Sequence, residues 1–239
     1  MTGSPIFRVS PDVFEQFPDY VVGCVQARGI SSTANLALSE LLGNAEIRAR
    51  SRYEDLDLKA EQPFAIWRDA FSTAGWSPSR FPASVEALHK RVQRGDDAPR
   101  INPAVDLANA AVLFYAVPVG THDTATFGGS PLEVRWSSSG DEFIDMSGNS
   151  ESEIVGEIVY AVGSDIRTRR WVWRQGRNGL VAPEAADIFY PVDGFTGSTS
   201  GFVEAAVNFL AETCATEFGA NVTIGIITAA SPEFAGDLA

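Results

Sequence analysis

The sequence is poor in the residues that build metal and redox sites. It contains two cysteines and two histidines in 239 residues. Cys24 and Cys214 lie far apart in the chain and neither has a metal-ligand neighbour, so we expect both to be core thiols rather than a disulfide or a nucleophile. Two histidines, His89 and His122, are too few for a multi-histidine metal site. We therefore expect no metal and no cofactor.

Long apolar runs and familiar catalytic signatures are also missing. No window approaches the length of apolar chain that spans a membrane, and residues 1–5 have neither the basic start nor the apolar core of a signal peptide. The glycines of residues 194–201 lack the lysine and the preceding buried strand of a phosphate-binding loop, and no G-x-S-x-G elbow occurs. These absences predict a cytoplasmic protein that does not bind a membrane.

Positive charge is scarce. The chain has 18 Lys and Arg against 31 Asp and Glu, a formal net charge of -13. Broad binding to nucleic acid, DNA included, needs many cations to neutralise phosphates, so the acidic balance argues against it. A small basic site that holds only one end of an RNA is still compatible with this composition.

What is present indicates an ordinary globular protein with a mixed fold. The chain is 45% hydrophobic and 21% charged, and its length can bury a substantial core. Apolar periodicity predicts helices over about 33–53, 63–71, 84–92 and 103–115 and another after residue 201. Short apolar runs predict strands over 5–9, 20–27, 132–136, 142–146, 154–161, 167–174, 188–192 and 222–228. The tail after residue 231 is expected to be loose.

Strands at this spacing, with turns rich in Gly, Ser and Asp, are typical of a barrel or a sandwich. No internal repeat and no linker divides the chain. We therefore expect one domain, residues 1–239, in which strands and helices of about residues 1–100 pack against a barrel core of about residues 101–230.

One predicted helix carries buried polar residues. Asn102 is a typical N-cap and Pro103 a typical first residue. The helix is apolar on nearly all sides, yet it contains Asp106 and Asn109, which point to adjoining surfaces. An unpaired buried polar group costs roughly 1–3 kcal/mol, so both side chains need a partner in the protein or in a ligand. The simpler interpretation is that Asp106 ties down a nearby loop.

A polar turn follows this helix and contains His122 and Asp123. A titrating group and a carboxylate in a loop at the end of a buried helix are a reasonable catalytic pair. Asp and His are also common turn residues, so a purely structural role is the alternative.

Residues 169–175 combine two indoles and three guanidiniums, with the sequence RRWVWRQ. In a strand, side chains alternate between faces. One face then carries Arg170, Val172 and Arg174, and the other carries Arg169, Trp171, Trp173 and Gln175. Guanidiniums suit a phosphate and indoles suit a base, so the segment fits a nucleotide end. The alternative is a strand whose tryptophans lie in the core and whose arginines pair with acids in solvent.

The segment from Asn102 to Asn109, followed by Pro118 and Asp123, resembles the central motif of the B3/B4 domain, the editing module of the bacterial phenylalanyl-tRNA synthetase beta subunit. The resemblance extends over about residues 66–192, and the Arg-Trp segment is similar to that of free-standing relatives. It implies an α+β fold with a closed six-stranded barrel surrounded by helices. It also implies hydrolysis, in trans, of the ester in a mischarged tRNA, with the aminoacylated 3′ end of tRNA as the partner.

The resemblance also implies roles for individual residues. Asn109 would bind the ester or the ribose, with Asp106 as an organiser. His122 or Asp123 would orient water or accept the α-ammonium. The Arg-Trp segment would bind the tRNA end: phosphates by Arg170 and Arg174, and the adenine or the amino acid by Trp171 or Trp173, beside Gln175.

Several positions depart from the family pattern. Ala108 and Ala110 replace a threonine and a tyrosine, Gly120 replaces a histidine, and His122 stands two residues further on. These changes leave two other functions open, a non-catalytic module that binds a tRNA end or nucleotide and a hydrolase of a small amino-acid ester or amide.

Overall fold

The computed structural model describes residues 5–30, 36–151 and 154–236. Its α-helices are α1 (Pro11–Gln16), α2 (Leu36–Tyr53), α3 (Gln62–Thr73), α4 (Ser84–Gln93), α5 (Pro103–Tyr115) and α6 (Ser200–Glu217). Short 3-10 helices cover Thr124–Phe127 and Arg177–Gly179. The predicted helices are confirmed, although the expected start of α2 at residues 33–35 lies outside the described residues.

The strands are β1 (Pro5–Val9), β2 (Tyr20–Arg28), β3 (His122–Asp123), β4 (Leu132–Trp136), β5 (Phe143–Ile144), β6 (Ser150–Glu151), β7 (Ile158–Val162), β8 (Asp165–Arg169), β9 (Arg174–Gln175), β10 (Asp187–Phe195), β11 (Asn221–Ile227) and β12 (Glu233–Ala235). One sheet has the order β12-β1-β4-β7-β8-β9 and another has the order β11-β2-β10-β3. Strands β5 and β6 form a separate pair. The mixture of helices and largely antiparallel sheets confirms the α+β class.

The expected closed six-stranded barrel is not confirmed. A barrel closes only when its first and last strands pair. Over the described ranges, the six-stranded sheet has β12 and β9 as edges and the four-stranded sheet has β11 and β3. The first pair of edge strands is only three and two residues long, which leaves little backbone with which to close the sheet.

Two predictions of local structure are wrong. The strand expected over residues 167–174 is divided into β8 and β9 by a turn, in which Arg170 and Trp171 have φ values of 43° and 63°. The tail after residue 231 is not loose, because β12 pairs with β1. At β12 a partner strand distant in sequence decides the conformation, whereas residues 170–173 form a turn between two neighbouring strands. Apolar patterning reveals neither.

Helix α5 lies at the centre of the protein. Its side chains enter three apolar clusters: Leu107 and Ala111 pack with α6 and the four-stranded sheet, Ala110 and Leu113 pack with α2, and Val112 packs in the largest cluster. The helix is therefore covered on nearly all sides, as its composition predicted. Its capping is also confirmed, since the Asn102 side chain accepts a hydrogen bond from the Val105 amide at 3.0 Å.

Candidate functional site

A small interior cavity lies beside the C-terminal end of α5. Its volume is about 90 Å³, enough for several water molecules. Its lining comes from the segment after α5, from β7, from the β8–β9 turn and from β10. The lining residues are Ser84, Pro118, Val119, Gly120, His122, Tyr160, Thr168, Trp171, Val172, Trp173, Gln175 and Asp193.

The segment after α5 is held against β10 by backbone hydrogen bonds. The Gly120 amide donates to the Pro191 carbonyl at 2.9 Å, and the Asp193 amide donates to the Pro118 carbonyl at 3.0 Å. A Cβ atom at position 120 would lie 2.9 Å from Cγ of Pro191 and 3.0 Å from Nε2 of His122. The departure from the family histidine at this position therefore has a packing reason: the backbone approaches Pro191 too closely for a side chain.

Asp193 is the most unusual group of the cavity, and no sequence pattern indicated it as a site residue. The residue is 1% exposed, and its Oδ1 accepts hydrogen bonds from the hydroxyls of Tyr20 and of Tyr160, the latter at 2.5 Å. Burial raises the pKa of Asp193 to about 6, against the opposing effect of the two tyrosine hydrogen bonds. These three residues are distant in sequence, and their only signal was that β2, β7 and β10 each read as an apolar strand.

His122 lies in the same cavity and is neutral at physiological pH. Its ring is 4% exposed and stacks on Tyr160, with centroids 5.7 Å apart. Burial lowers the pKa of His122 to about 3, and the charge of Arg167 adds to this effect. The imidazole can therefore accept a hydrogen bond from a cavity occupant, but at neutral pH it does not carry a positive charge.

A wider groove of about 380 Å³ adjoins the interior cavity. The two share Ser84, Val119, Trp173 and Gln175 as lining residues. Asn109 also lines the groove, and within the described part of the chain its side-chain amide makes no hydrogen bond. The structure thus brings together Asn109, Trp173 and Gln175 at the groove, with His122 in the cavity that opens beside them.

The Arg-Trp segment does not present two faces of a strand. Trp171 is fully buried and packs against Phe17, Tyr20, Trp67 and Phe195. The positive φ values of the turn rotate this indole into the core and leave Trp173 half-buried at the groove. Trp171 therefore lies in the core, as the alternative interpretation of this segment expected. Trp173 is the indole that lines the groove.

The arginines of this segment are already paired. Arg170 forms an ion pair with Glu157 at 2.6 Å, and its guanidinium lies 4.9 Å from the Trp173 ring centroid. Arg174 pairs with Glu151 at 3.3 Å and lies 3.8 Å from an oxygen of Asp145. Neither arginine lines the groove or the cavity. Their charges are balanced locally, so a phosphate would have to compete with carboxylates for them.

A different cation faces the groove. Arg91 on α4 is exposed and lines the groove, and its Nε donates to the backbone carbonyl of Asp97 at 2.6 Å. No carboxylate pairs with Arg91 among residues 5–30, 36–151 and 154–236. His89 on the same helix is buried, since it is 2% exposed and packs against Tyr53 and Phe64.

Two expected site residues lie away from both cavities. Oδ1 of Asp106 accepts a hydrogen bond from the Ile101 amide at 2.8 Å, so its carboxylate fixes the loop before α5. The Asp123 side chain accepts from the Ala125 amide at 3.0 Å and caps the following 3-10 helix. Both carboxylates therefore make the loop and turn contacts expected of a purely structural role.

Among the described residues, no group of three or more His, Cys, Asp or Glu side chains is arranged to hold a metal ion. None of the helices there has the length and apolar character needed to cross a membrane.

The fold and the site define an α+β protein in which a central helix lines a groove that adjoins a small cavity. A family model described as the B3/4 domain matches residues 66–205, more than half of the chain. The chain therefore belongs to the B3/4 domain family, which confirms the resemblance found in its sequence.

Among the solved structures that are similar is a crystal structure of an N-terminal fragment of the phenylalanyl-tRNA synthetase beta-subunit from Pyrococcus horikoshii. The identity is 11%, the TM-score is 0.43, and the match covers 92% of this chain and 51% of that chain. This chain thus spans about half the length of that structure. No curated protein matches this chain.

Proposed function

We propose that this protein is a trans-acting deacylase that hydrolyses the ester of a mischarged aminoacyl-tRNA. The observation that carries the proposal is the Asn109 amide, which has no hydrogen-bond partner among the described residues and lies in a groove that shares Trp173 with the interior cavity. Asn109 stands at a position of the B3/B4 motif that the resemblance connects with the ester or the ribose. The groove and the cavity together offer separate places for a nucleoside and for an aminoacyl group.

The groove suits a terminal adenosine. Trp173 provides an aromatic surface for the adenine, since base–aromatic stacking contributes about 1–3 kcal/mol per base. The Asn109 amide can donate to and accept from the ribose or the ester. Arg91 is the groove cation available to a phosphate, so we assign to it the role first expected of Arg170 and Arg174. One arginine in the groove, without a carboxylate partner among the described residues, agrees with a protein of net charge -13 that holds only an RNA end.

The reaction needs no protein nucleophile. An aminoacyl ester is already activated, so holding water close to its carbonyl supplies much of the rate, and one hydrogen-bond donor to the oxyanion contributes a few kcal/mol. The Asn109 amide is such a donor. Neutral His122 can accept a hydrogen bond from the attacking water and fix its orientation.

The test is a deacylation screen with the purified protein and a panel of misacylated tRNAs, measured as acid-precipitable radiolabelled amino acid over time. We expect hydrolysis of at least one member, and Asn109→Ala should lower that rate by about tenfold or more because an oxyanion or ribose contact is lost. Asn44→Ala is the matched control, because Asn44 is exposed on α2. Intact ester on every tRNA, or equal rates for the two variants, would contradict the proposal.

A non-catalytic module that binds a tRNA end is the second candidate. It is favoured by the engagement of Asp123 in capping and by the replacement of the family histidine by Gly120. This module would bind tRNA with a negative salt dependence but release no amino acid. Turnover in the deacylation screen excludes it.

A further inference from the structure

The carboxylate of Asp193 is buried at the interior cavity. Its Oδ1 accepts both tyrosine hydroxyls, and across the described ranges no Lys, Arg or His pairs with it. No hydrogen bond to Oδ2 is found in the same part of the chain. Because Asp193 lines the interior cavity, Oδ2 is the oxygen available to an occupant.

The surroundings of Asp193 favour a cation over an anion or an apolar group. A buried carboxylate is costly unless a cation or sufficient hydrogen-bond donors compensate it. The two tyrosines compensate one oxygen, and burial still raises the pKa of Asp193 to about 6. His122, which shares the cavity, stays neutral and therefore adds no competing positive charge. An ammonium group can donate a hydrogen bond to Oδ2.

The size of the cavity limits the occupant. Its volume is about 90 Å³, whereas a cavity that holds benzene measures about 150 Å³. The space fits a small cationic group better than an aromatic side chain. It also opens beside Trp173 and Gln175, where the nucleoside would lie.

We propose that the interior cavity binds the free α-ammonium of the aminoacyl group through Asp193, so that the protein discriminates against esters whose α-position lacks a positive charge. This inference rests on the proposed function, because it takes the aminoacylated adenosine as the ligand. It makes Asp193 a binding residue that recognises charge, with Tyr20 and Tyr160 holding its carboxylate in place.

The test uses two stable ligands that differ in one group. One is 3′-deoxy-3′-(L-alanylamino)adenosine. Its alanyl group carries the α-ammonium and is joined to the ribose by an amide that resists hydrolysis. The other is the matching lactyl amide, in which a hydroxyl replaces the ammonium at nearly the same size. Calorimetric titration at pH 7.5 should give an affinity about tenfold or more higher for the ammonium ligand, because its positive charge adds Coulombic attraction to the hydrogen bond that a hydroxyl can also donate to the carboxylate.

The variant Asp193→Asn keeps the oxygen that both tyrosines contact and removes the charge. It should lower affinity for the ammonium ligand more than affinity for the lactyl ligand, so that the ratio of the two affinities falls towards one. The comparison of the two ligands on the unmodified protein needs no variant, so it holds even if Asp193→Asn fails to fold.

Each outcome decides the inference. Equal affinities for the two ligands, or no binding of the ammonium ligand, would overturn it. Deacylation activity combined with equal affinities overturns the ammonium site and leaves the proposed function standing. A preference for the ammonium ligand in a protein that deacylates no tRNA supports the site and removes the catalytic proposal.

Discussion

Acid should destabilise this protein through its two buried histidines. Burial lowers the pKa of His122 from 6.5 to about 3, and that of His89 to about 4. Both rings are therefore neutral in the folded protein at pH 5, while most histidines of the unfolded chain are protonated. The unfolded state then binds more protons, so each ring contributes stability that is full above pH 6.5 and is lost as the pH falls towards the folded pKa.

The size of the expected stability loss follows from the pKa values of the two histidines. Between pH 7 and pH 5 the linkage relation gives a loss of about 2 kcal/mol for each histidine. Asp193 acts in the opposite direction, because its folded pKa of about 6 lies above the ordinary aspartate value of 3.8. It contributes about 1 kcal/mol of added stability over the same interval. That contribution is common to the unmodified protein and the histidine variants, so it cancels in their comparison.

The variant His122→Phe isolates the effect, because a phenyl ring can keep the stacking on Tyr160. Urea unfolding followed by tryptophan fluorescence should show that this variant loses about 2 kcal/mol less free energy of unfolding between pH 7 and pH 5 than the unmodified protein. His89→Phe should behave alike, and the double variant should lose about 4 kcal/mol less. Equal pH dependence of all four proteins would refute the argument from burial.

Three further predictions test packing and binding. Gly120→Ala should lower the free energy of unfolding by about 1–3 kcal/mol, because its Cβ would contact a proline ring, whereas Gly43→Ala on α2, which has open space, should not destabilise the protein in the same urea assay. Trp171→Ala should cost about 3–5 kcal/mol in that assay, since this side chain is fully buried; a cost below 1 kcal/mol would contradict its place in the core. Arg91→Ala should weaken tRNA binding in filter-binding titrations and reduce the slope of log affinity against log salt concentration by about 1. Arg177→Ala, which removes an exposed arginine outside the groove, should leave this slope unchanged. An unaltered slope for both variants would remove Arg91 from the phosphate site.

The sequence determined the local features of this protein and its family. Asn102 and Pro103 defined the start of α5, because capping depends on groups within a few residues. The apolar composition of α5 predicted its burial, and the same segment carried the resemblance to the B3/B4 domain that the family match confirmed.

Tertiary structure decided the candidate site. Asp193 lies 173 residues from Tyr20 and 33 residues from Tyr160 in the chain, and only the alignment of three strands brings them together. The turn at residues 170–173 buries one indole and leaves the other half-buried at the groove, although both occur in the same short motif. Ion pairing with acids elsewhere removes Arg170 and Arg174 from the groove. Local patterns fix helices and caps, whereas the partners of a buried charge depend on contacts distant in sequence.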